Sequence, residues 1–207
     1  MKIESIGQIP VVKEEDGDDF GHFYLRIKRY FDLFLALVLL YLLCPLFAII
    51  ALAIKIESKG LVLFKQKRVG KDGEIFQIYK FRTMSIETDP YAINPLDQND
   101  CRITKAGRFL RKSSLDELPQ IINVLKGNMS FIGPRPEMPF IVAEYNEIHK
   151  ERLKILPGIT GLWQLSGDRK KAIHENMNYD LYYIKNVSFF LDLAILIKTL
   201  VFAFKGI

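Results

Sequence analysis

Two adjacent carboxylates, Asp116 and Glu117, are the most reactive pairing in the chain; they follow Arg111, Lys112, Ser113 and Ser114 and precede Pro119. Neighbouring carboxylates raise one another's pKa unless a cation neutralises them, which argues for a metal ion at this pair. The stretch also has a purely structural reading. Leu118, Ile121, Ile122 and Leu125 recur at i, i+3, i+4 and i+7, a helix with one buried face that Lys126-Gly127 would end. Pro119 belongs in its first turn, so the acids sit at or just before the helix start. There Ser113 or Ser114 would cap, and acids favour the dipole.

Cations accumulate around this pair. Three prolines within residues 134–139 make Gly133-Pro134-Arg135-Pro136 a rigid, extended turn. A rigid mount for one guanidinium suits bidentate phosphate recognition, although a surface turn with a solvated arginine would look the same. Lys80 and Arg82 close an apolar strand pattern and are expected on one side of it. A short basic helix over residues 104–112 carries Arg111 towards the acids. Residues 156–164 form a second glycine-punctuated loop, and a helix over 172–186 carries Asp180, Tyr182 and Tyr183.

The elements that must position these groups are of two kinds. Residues 31–54 are an apolar run long enough to cross a bilayer, interrupted by Asp32 and Pro45. Basic residues flank both ends (Arg26, Lys28, Arg29; Lys55, Lys59, Lys65, Lys67, Arg68), which suits two ends on one cytoplasmic face. A helix-break-helix turning at Cys44-Pro45 fits both facts, and a kinked single span is the alternative. Strand patterns at 61–64 and 74–81 flank Gly70-Lys71-Asp72-Gly73 and predict a hairpin. An amphipathic helix is expected over 140–154, with Phe140, Ile141, Tyr145 and Ile148 on its buried side. Residues 189–204 read as an apolar helix lying in a membrane interface. The fold class is therefore α+β: a membrane helix in residues 23–58, then a small, mainly helical domain with a hairpin in residues 59–207. Residues 1–22 hold a lone strand pattern and an acidic linker; the strand either packs on the main body or is the last strand of an upstream domain.

The chain is 49% hydrophobic yet 26% charged, reconciled by confining the apolar residues to a few runs. The first 19 residues hold two lysines against six acids, a net of −4, so the net of +5 leaves +9 for the rest. A basic body beside an apolar anchor suits an anionic membrane and anionic substrates. Two dissimilar cysteines exclude a disulfide framework. No Walker loop, G-x-G-x-x-G, C-x-x-C or H-E-x-x-H is present, and His22, His149 and His174 lack metal-ligand spacing.

Taken together, Lys28-Arg29-x-x-Asp32, the proline-broken apolar run, Tyr79-Lys80-Phe81-Arg82-Thr83-Met84, the Ser-Leu-Asp-Glu-Leu-Pro-Gln stretch at 114–120, Gly133-Pro134-Arg135-Pro136 and Pro157-Gly158-Ile159-Thr160-Gly161-Leu162-Trp163-Gln164 resemble the bacterial sugar transferases. These are monotopic phosphoglycosyl transferases that start glycan assembly on polyprenyl phosphate. The resemblance covers about residues 24–207 and departs from many relatives at Cys44, where serine is expected. It implies a re-entrant anchor in the bacterial inner membrane, a catalytic domain on the cytoplasmic face and a requirement for Mg²⁺. It implies a UDP-sugar donor, polyprenyl (undecaprenyl) phosphate as acceptor, the lipid bilayer as partner and no nucleic acid, and it leaves a homodimer open. Asp116 would be the nucleophile that expels UMP. Glu117 would bind metal, together with Asp116, or handle a proton. Arg111 and Arg135 would hold phosphate oxygens, with Lys80 and Arg82 as further ligands, and Asp180 aligns with an active-site acid. The exopolysaccharide-like N-terminus favours glucose or galactose. A membrane adaptor without activity, or a glycosyltransferase releasing UDP, are the rival readings.

Overall fold

The computed structural model describes residues 18–89, 91, 100–169, 171, 173 and 176–205. The strand expected within residues 1–17 and most of the loop expected at 85–100 lie outside them. Helix α1 spans Asp18–Glu57, followed by the antiparallel hairpin of β1 (Leu63–Val69) and β2 (Ile75–Phe81). Helix α2 (Lys105–Lys112), a 3-10 segment (Leu115–Gln120) and α3 (Ile121–Lys126) carry the acidic pair. Then come β3 (Ser130–Ile132), α4 (Pro139–Val142), α5 (Glu147–Lys150), a 3-10 turn (Glu151–Lys154), β4 (Gly158–Thr160), α6 (Asn178–Lys185) and α7 (Phe189–Lys205). The mixed α+β class, the hairpin and the basic helix are as the sequence pattern predicts.

Helix α1 differs from expectation. The helix runs through Cys44 and Pro45 without interruption, and both side chains are exposed. Its buried positions, Lys28, Asp32, Ala36, Ile50 and Ile54, stay on one stripe of the cylinder on both sides of Pro45. A proline deletes one ladder bond and can bend a helix, but packing on either side keeps the helix going. That packing is to one body. Ala36 joins Phe76, Ile78, Ile121, Val124 and Met129, whereas Ile50 and Ile54 join Phe81 and Leu110. Phe47 meets Phe81 edge to face at 5.3 Å. Each such aliphatic or aromatic side chain contributes roughly 1.5–3 kcal/mol when fully buried.

The Lys28-Arg29-x-x-Asp32 motif is used up in docking this helix. Lys28 pairs with Asp192 of α7 and donates to the Tyr183 hydroxyl at 3.0 Å. Arg29 donates to the carbonyls of Val124 and Leu125, at 2.6 and 3.3 Å, where α3 ends and its dipole is negative. At the other end the Glu57 carboxylate accepts from the amides of Lys105 and Ala106 at 2.6 and 2.7 Å, capping α2. Both ends of α1 are thus tied to the elements that carry the acids.

The outward side of α1 stays apolar and uncovered, with Tyr30, Phe34, Leu37, Tyr41, Ile49, Leu52 and Ile56 exposed. It is the one helix among the described residues long and apolar enough to cross a membrane. Helix α7 likewise exposes Phe189, Phe190, Ile197 and Leu200 while burying Asp192 and Ile195.

Two other expectations are corrected. Residues 140–154 are not one helix but α4, α5 and a 3-10 turn, and Phe140 and Ile148 are exposed while Tyr145 is buried. Asn146 caps α5 by accepting from the His149 amide, which starts a new helix instead of continuing the old one. The helix expected over 172–186 is confined to Asn178–Lys185 among the described residues. A parallel pairing of β3 with β4, unforeseen from the sequence, joins the two glycine-rich loops.

Candidate active site

The acids are presented by a backbone reversal. Ser113 does not cap the following helix; its hydroxyl donates back to the Phe109 carbonyl at 2.8 Å and closes α2. Ser114 makes no side-chain cap either, and adopts a left-handed conformation at φ 56°, which costs a non-glycine residue about 1–2 kcal/mol. That turn sends the chain into the 3-10 segment, with Asp116 and Glu117 in its first turn. Leu115 and Leu118 pack against the Ile50–Phe81–Leu110 cluster, and Pro119 and Gln120 are buried.

Lys80 and Arg135 converge on one oxygen of Glu117. Lys80 Nζ lies 2.6 Å and Arg135 Nη2 3.1 Å from Glu117 Oε1. Strand β2 delivers Lys80, and β2 is fixed to α3 by Asn123. This fully buried amide donates to the Gln77 carbonyl at 2.7 Å and accepts from the Tyr79 amide at 3.0 Å. Arg111 reaches in from α2, its Nε on the Thr83 hydroxyl at 3.0 Å.

These surroundings drive the two acids apart. Burial pushes Asp116 up to about 6; Lys80 opposes the shift, Glu117 adds to it, and Arg111 and Arg135 oppose it further. Burial works against ionisation of Glu117 too, but Lys80 and Arg135 overcome it and hold that carboxyl well below the usual range. Glu117 is therefore a fixed anion. Asp116 is the acid whose ionisation a further cation would favour most, so the two carboxylates are not equivalent.

Arg135 is held by close main-chain contact. A Cβ on Gly158 would lie 2.1 Å from the Gly133 nitrogen, so only glycine lets the two loops meet. Gly133 donates to the Thr160 carbonyl at 3.0 Å and Gly158 to the Pro134 carbonyl at 2.9 Å.

Two predicted site residues, the phosphate ligand Arg82 and the acid Asp180, stand elsewhere. Arg82 does not share a side with Lys80, because β2 ends at Phe81 and strand alternation stops there. Its guanidinium donates to the Ser58 and Lys59 carbonyls at 2.9 and 2.7 Å and to the Ser58 hydroxyl, closing the C-terminal end of α1. Asp180 lies a layer behind the site, ion-paired with buried Arg152 at 2.8 Å. The sequence reading missed Arg152, Arg68 and Asn123. The only signal for Asn123 was a polar residue amid the apolar Ile121, Ile122, Val124 and Leu125.

Among the described residues, no three histidine, cysteine or acidic side chains group as a metal site. Asp116 and Glu117 alone would serve a hard cation that takes its other ligands from water and substrate phosphate, which is the habit of Mg²⁺.

Sequence comparison agrees with this picture. The profile of the family described as bacterial sugar transferase matches residues 23–206. The chain is 39% identical over 213 residues to a UDP-glucose:undecaprenyl-phosphate glucose-1-phosphate transferase of Escherichia coli (strain K12), covering 99% of this chain and 45% of that protein. It is also 39% identical to the exopolysaccharide production protein ExoY of Rhizobium meliloti (strain 1021), over 84% of this chain and 83% of ExoY. A third relative, 39% identical over 86% of this chain and 43% of its own length, is a UDP-N-acetylgalactosamine-undecaprenyl-phosphate N-acetylgalactosaminephosphotransferase of Aeromonas hydrophila. The chain thus spans about half the length of several curated relatives it matches. With the family profile matched along nearly the whole chain, the protein belongs to the bacterial sugar transferase family.

Proposed function

We propose that the protein transfers a sugar-1-phosphate from a UDP-sugar to polyprenyl phosphate and releases UMP. The observation that carries the reading is the pair of unlike acids ringed by Lys80, Arg135 and Arg111. A diphosphate repels an incoming nucleophile, so catalysis consists mostly of neutralising charge and positioning groups. Asp116 attacks the β-phosphorus, the bond from that phosphorus to the UMP oxygen breaks, and an aspartyl phospho-sugar remains. A phosphate oxygen of the lipid then attacks the same phosphorus, forms the diphosphate and returns the Asp116 carboxylate. Arg135 and Lys80 hold phosphate oxygens and keep Glu117 ionised, while Arg111 supports the charge on Asp116. Asp116 and Glu117 would hold Mg²⁺, which when bound adds positive charge at the diphosphate. The donor is a UDP-hexose, with glucose or galactose favoured; relatives are named for glucose and for N-acetylgalactosamine.

The membrane seating follows the same logic. Because both ends of α1 are bound to one body, both flanks belong on one face of the bilayer, here the cytoplasmic face of the bacterial inner membrane. The uncovered side of α1, with that of α7, would sink into a single leaflet, bringing the site to the depth of the lipid phosphate. The experiment is to identify the nucleotide released when purified protein, Mg²⁺, UDP-glucose or UDP-galactose and undecaprenyl phosphate are combined. UMP is expected. Release of UDP would make the protein a glycosyltransferase; no turnover with these donors or with UDP-N-acetylgalactosamine would favour an adaptor.

A further inference from the structure

Arg135 stands on a loop that cannot hold itself by ordinary main-chain pairing. Pro134 and Pro136 remove the two amides that flank it, so the loop is secured through its carbonyls. Four consecutive carbonyls each accept a hydrogen bond from outside the loop. Pro134 O takes the Gly158 amide at 2.9 Å, and Glu137 O takes the Val69 amide at 2.9 Å. Between them, Arg135 O takes Arg152 Nη2 at 2.7 Å, and Pro136 O takes Arg68 Nη1 at 3.3 Å.

The two central bonds come from arginine side chains. Arg152 is 4% exposed: its Nη2 lies 2.8 Å from Asp180 and donates to the Arg135 carbonyl at 2.7 Å, and its Nη1 donates to the Tyr145 hydroxyl at 2.5 Å. Burying a guanidinium is tolerated when its charge is paired, as Asp180 pairs this one. Arg68 is placed by Gln66, whose Oε1 accepts from its Nη2 at 2.6 Å, with Glu137 at 4.0 Å. Of the three arginines, Arg135 is the one that pairs with Glu117, at 3.1 Å.

We propose that Arg152 and Arg68 are positioning residues that fix the backbone of Arg135, so that its guanidinium stands at the phosphate site; the proposal rests on the reading of Arg135 as a phosphate ligand. Asp180 then acts through Arg152 and Arg135, which gives this acid an effect on catalysis without contact with substrate. Lysine cannot replace either arginine, because an ammonium is a point donor and lacks the planar fork that spans two or three acceptors.

The test compares Arg152→Lys, Arg68→Lys and Arg135→Lys, singly and in pairs, with the unchanged full chain in lipid nanodiscs. For Arg152→Lys, kcat should fall on the order of ten- to a hundredfold, the cost of a misplaced catalytic group. KM for undecaprenyl phosphate should stay unchanged. Combined with Arg135→Lys, Arg152→Lys should cause no further loss, because both act through one guanidinium. Amide hydrogen exchange should rise at Gly133, Arg135, Glu137 and Met138 and stay unchanged in β2 and α3. Equal fold-losses in both backgrounds would overturn the proposal, as would unaltered exchange at those amides in both Arg152→Lys and Arg68→Lys. If the unchanged chain releases no UMP, the functional reading fails, and the exchange measurement alone still decides whether the arginines hold the loop.

Discussion

The protein contains two clusters of opposite charge that use similar residues in different ways. At the base of α1, Lys28, Asp192, Tyr183 and Tyr24 close on one another, with the Lys28 and Asp192 side chains 7% and 8% exposed. At the candidate site, Lys80, Arg135 and Glu117 retain 17%, 32% and 21% exposure, and two cations share one carboxylate oxygen. The first cluster, which Asp32 also joins, is sealed from solvent, so it holds elements together. The second has more positive charge than its acids consume and is open to solvent, so it can receive an anion. Excess charge and access, more than the presence of ion pairs, separate a binding site from a structural joint.

Substitutions should separate the clusters further, and the largest effect on turnover belongs to the open one. Asp116→Asn keeps the shape and removes the attacking anion, so activity should fall by more than about a thousandfold while the protein stays folded. Arg135→Lys keeps the charge but loses the fork, and should lower kcat/KM by about ten- to a hundredfold. The sealed cluster should behave oppositely. Lys28→Met leaves Asp192 buried without its cation, and should cost about 3–5 kcal/mol of stability in denaturant titration. Adding Asp192→Leu should restore much of that loss, with KM for the UDP-sugar unchanged throughout. The smallest effect is expected from Arg82→Lys, which weakens the closure of α1 by about 1–2 kcal/mol and leaves KM for the UDP-sugar in place. A large rise in that KM would return Arg82 to the phosphate site beside Lys80.

The contrast between Lys80 and Arg82 also marks the limit of what the sequence reveals. Alternation placed both on one side, but the strand stops between them, and a strand end is not encoded in a period of two. The hairpin was legible because turn residues mark it, and the nearness of Arg111, Asp116, Glu117 and Arg135 to one another because their composition stands out. The parallel pairing of Ser130–Ile132 with Gly158–Thr160 was not, since three-residue strands are too short to show a period and their partners are distant in the chain. Arg152 looked like an ordinary charge on a helix face; its role depends on Asp180, Tyr145 and the Arg135 carbonyl, which only the fold brings together. Pro45 read as a break because the local rule is strong, yet tertiary packing of Ala36, Ile50 and Ile54 carries the helix past it. The proposed topology, with both flanks on one face, rests instead on where both ends of α1 are tied.

The central claim is that Asp116 becomes covalently loaded, and mass spectrometry of the intact protein tests it most directly. The protein is mixed with Mg²⁺ and the UDP-sugar that it turns over, and sampled before any lipid phosphate is added. The account predicts release of UMP with matching gain of one phospho-sugar mass, mapped to the peptide carrying Asp116, removed by hydroxylamine and absent in Asp116→Asn. Active enzyme that shows no adduct, and releases UMP only once undecaprenyl phosphate is present, would contradict it: the lipid phosphate would then attack the UDP-sugar directly, and Asp116 would not be the nucleophile.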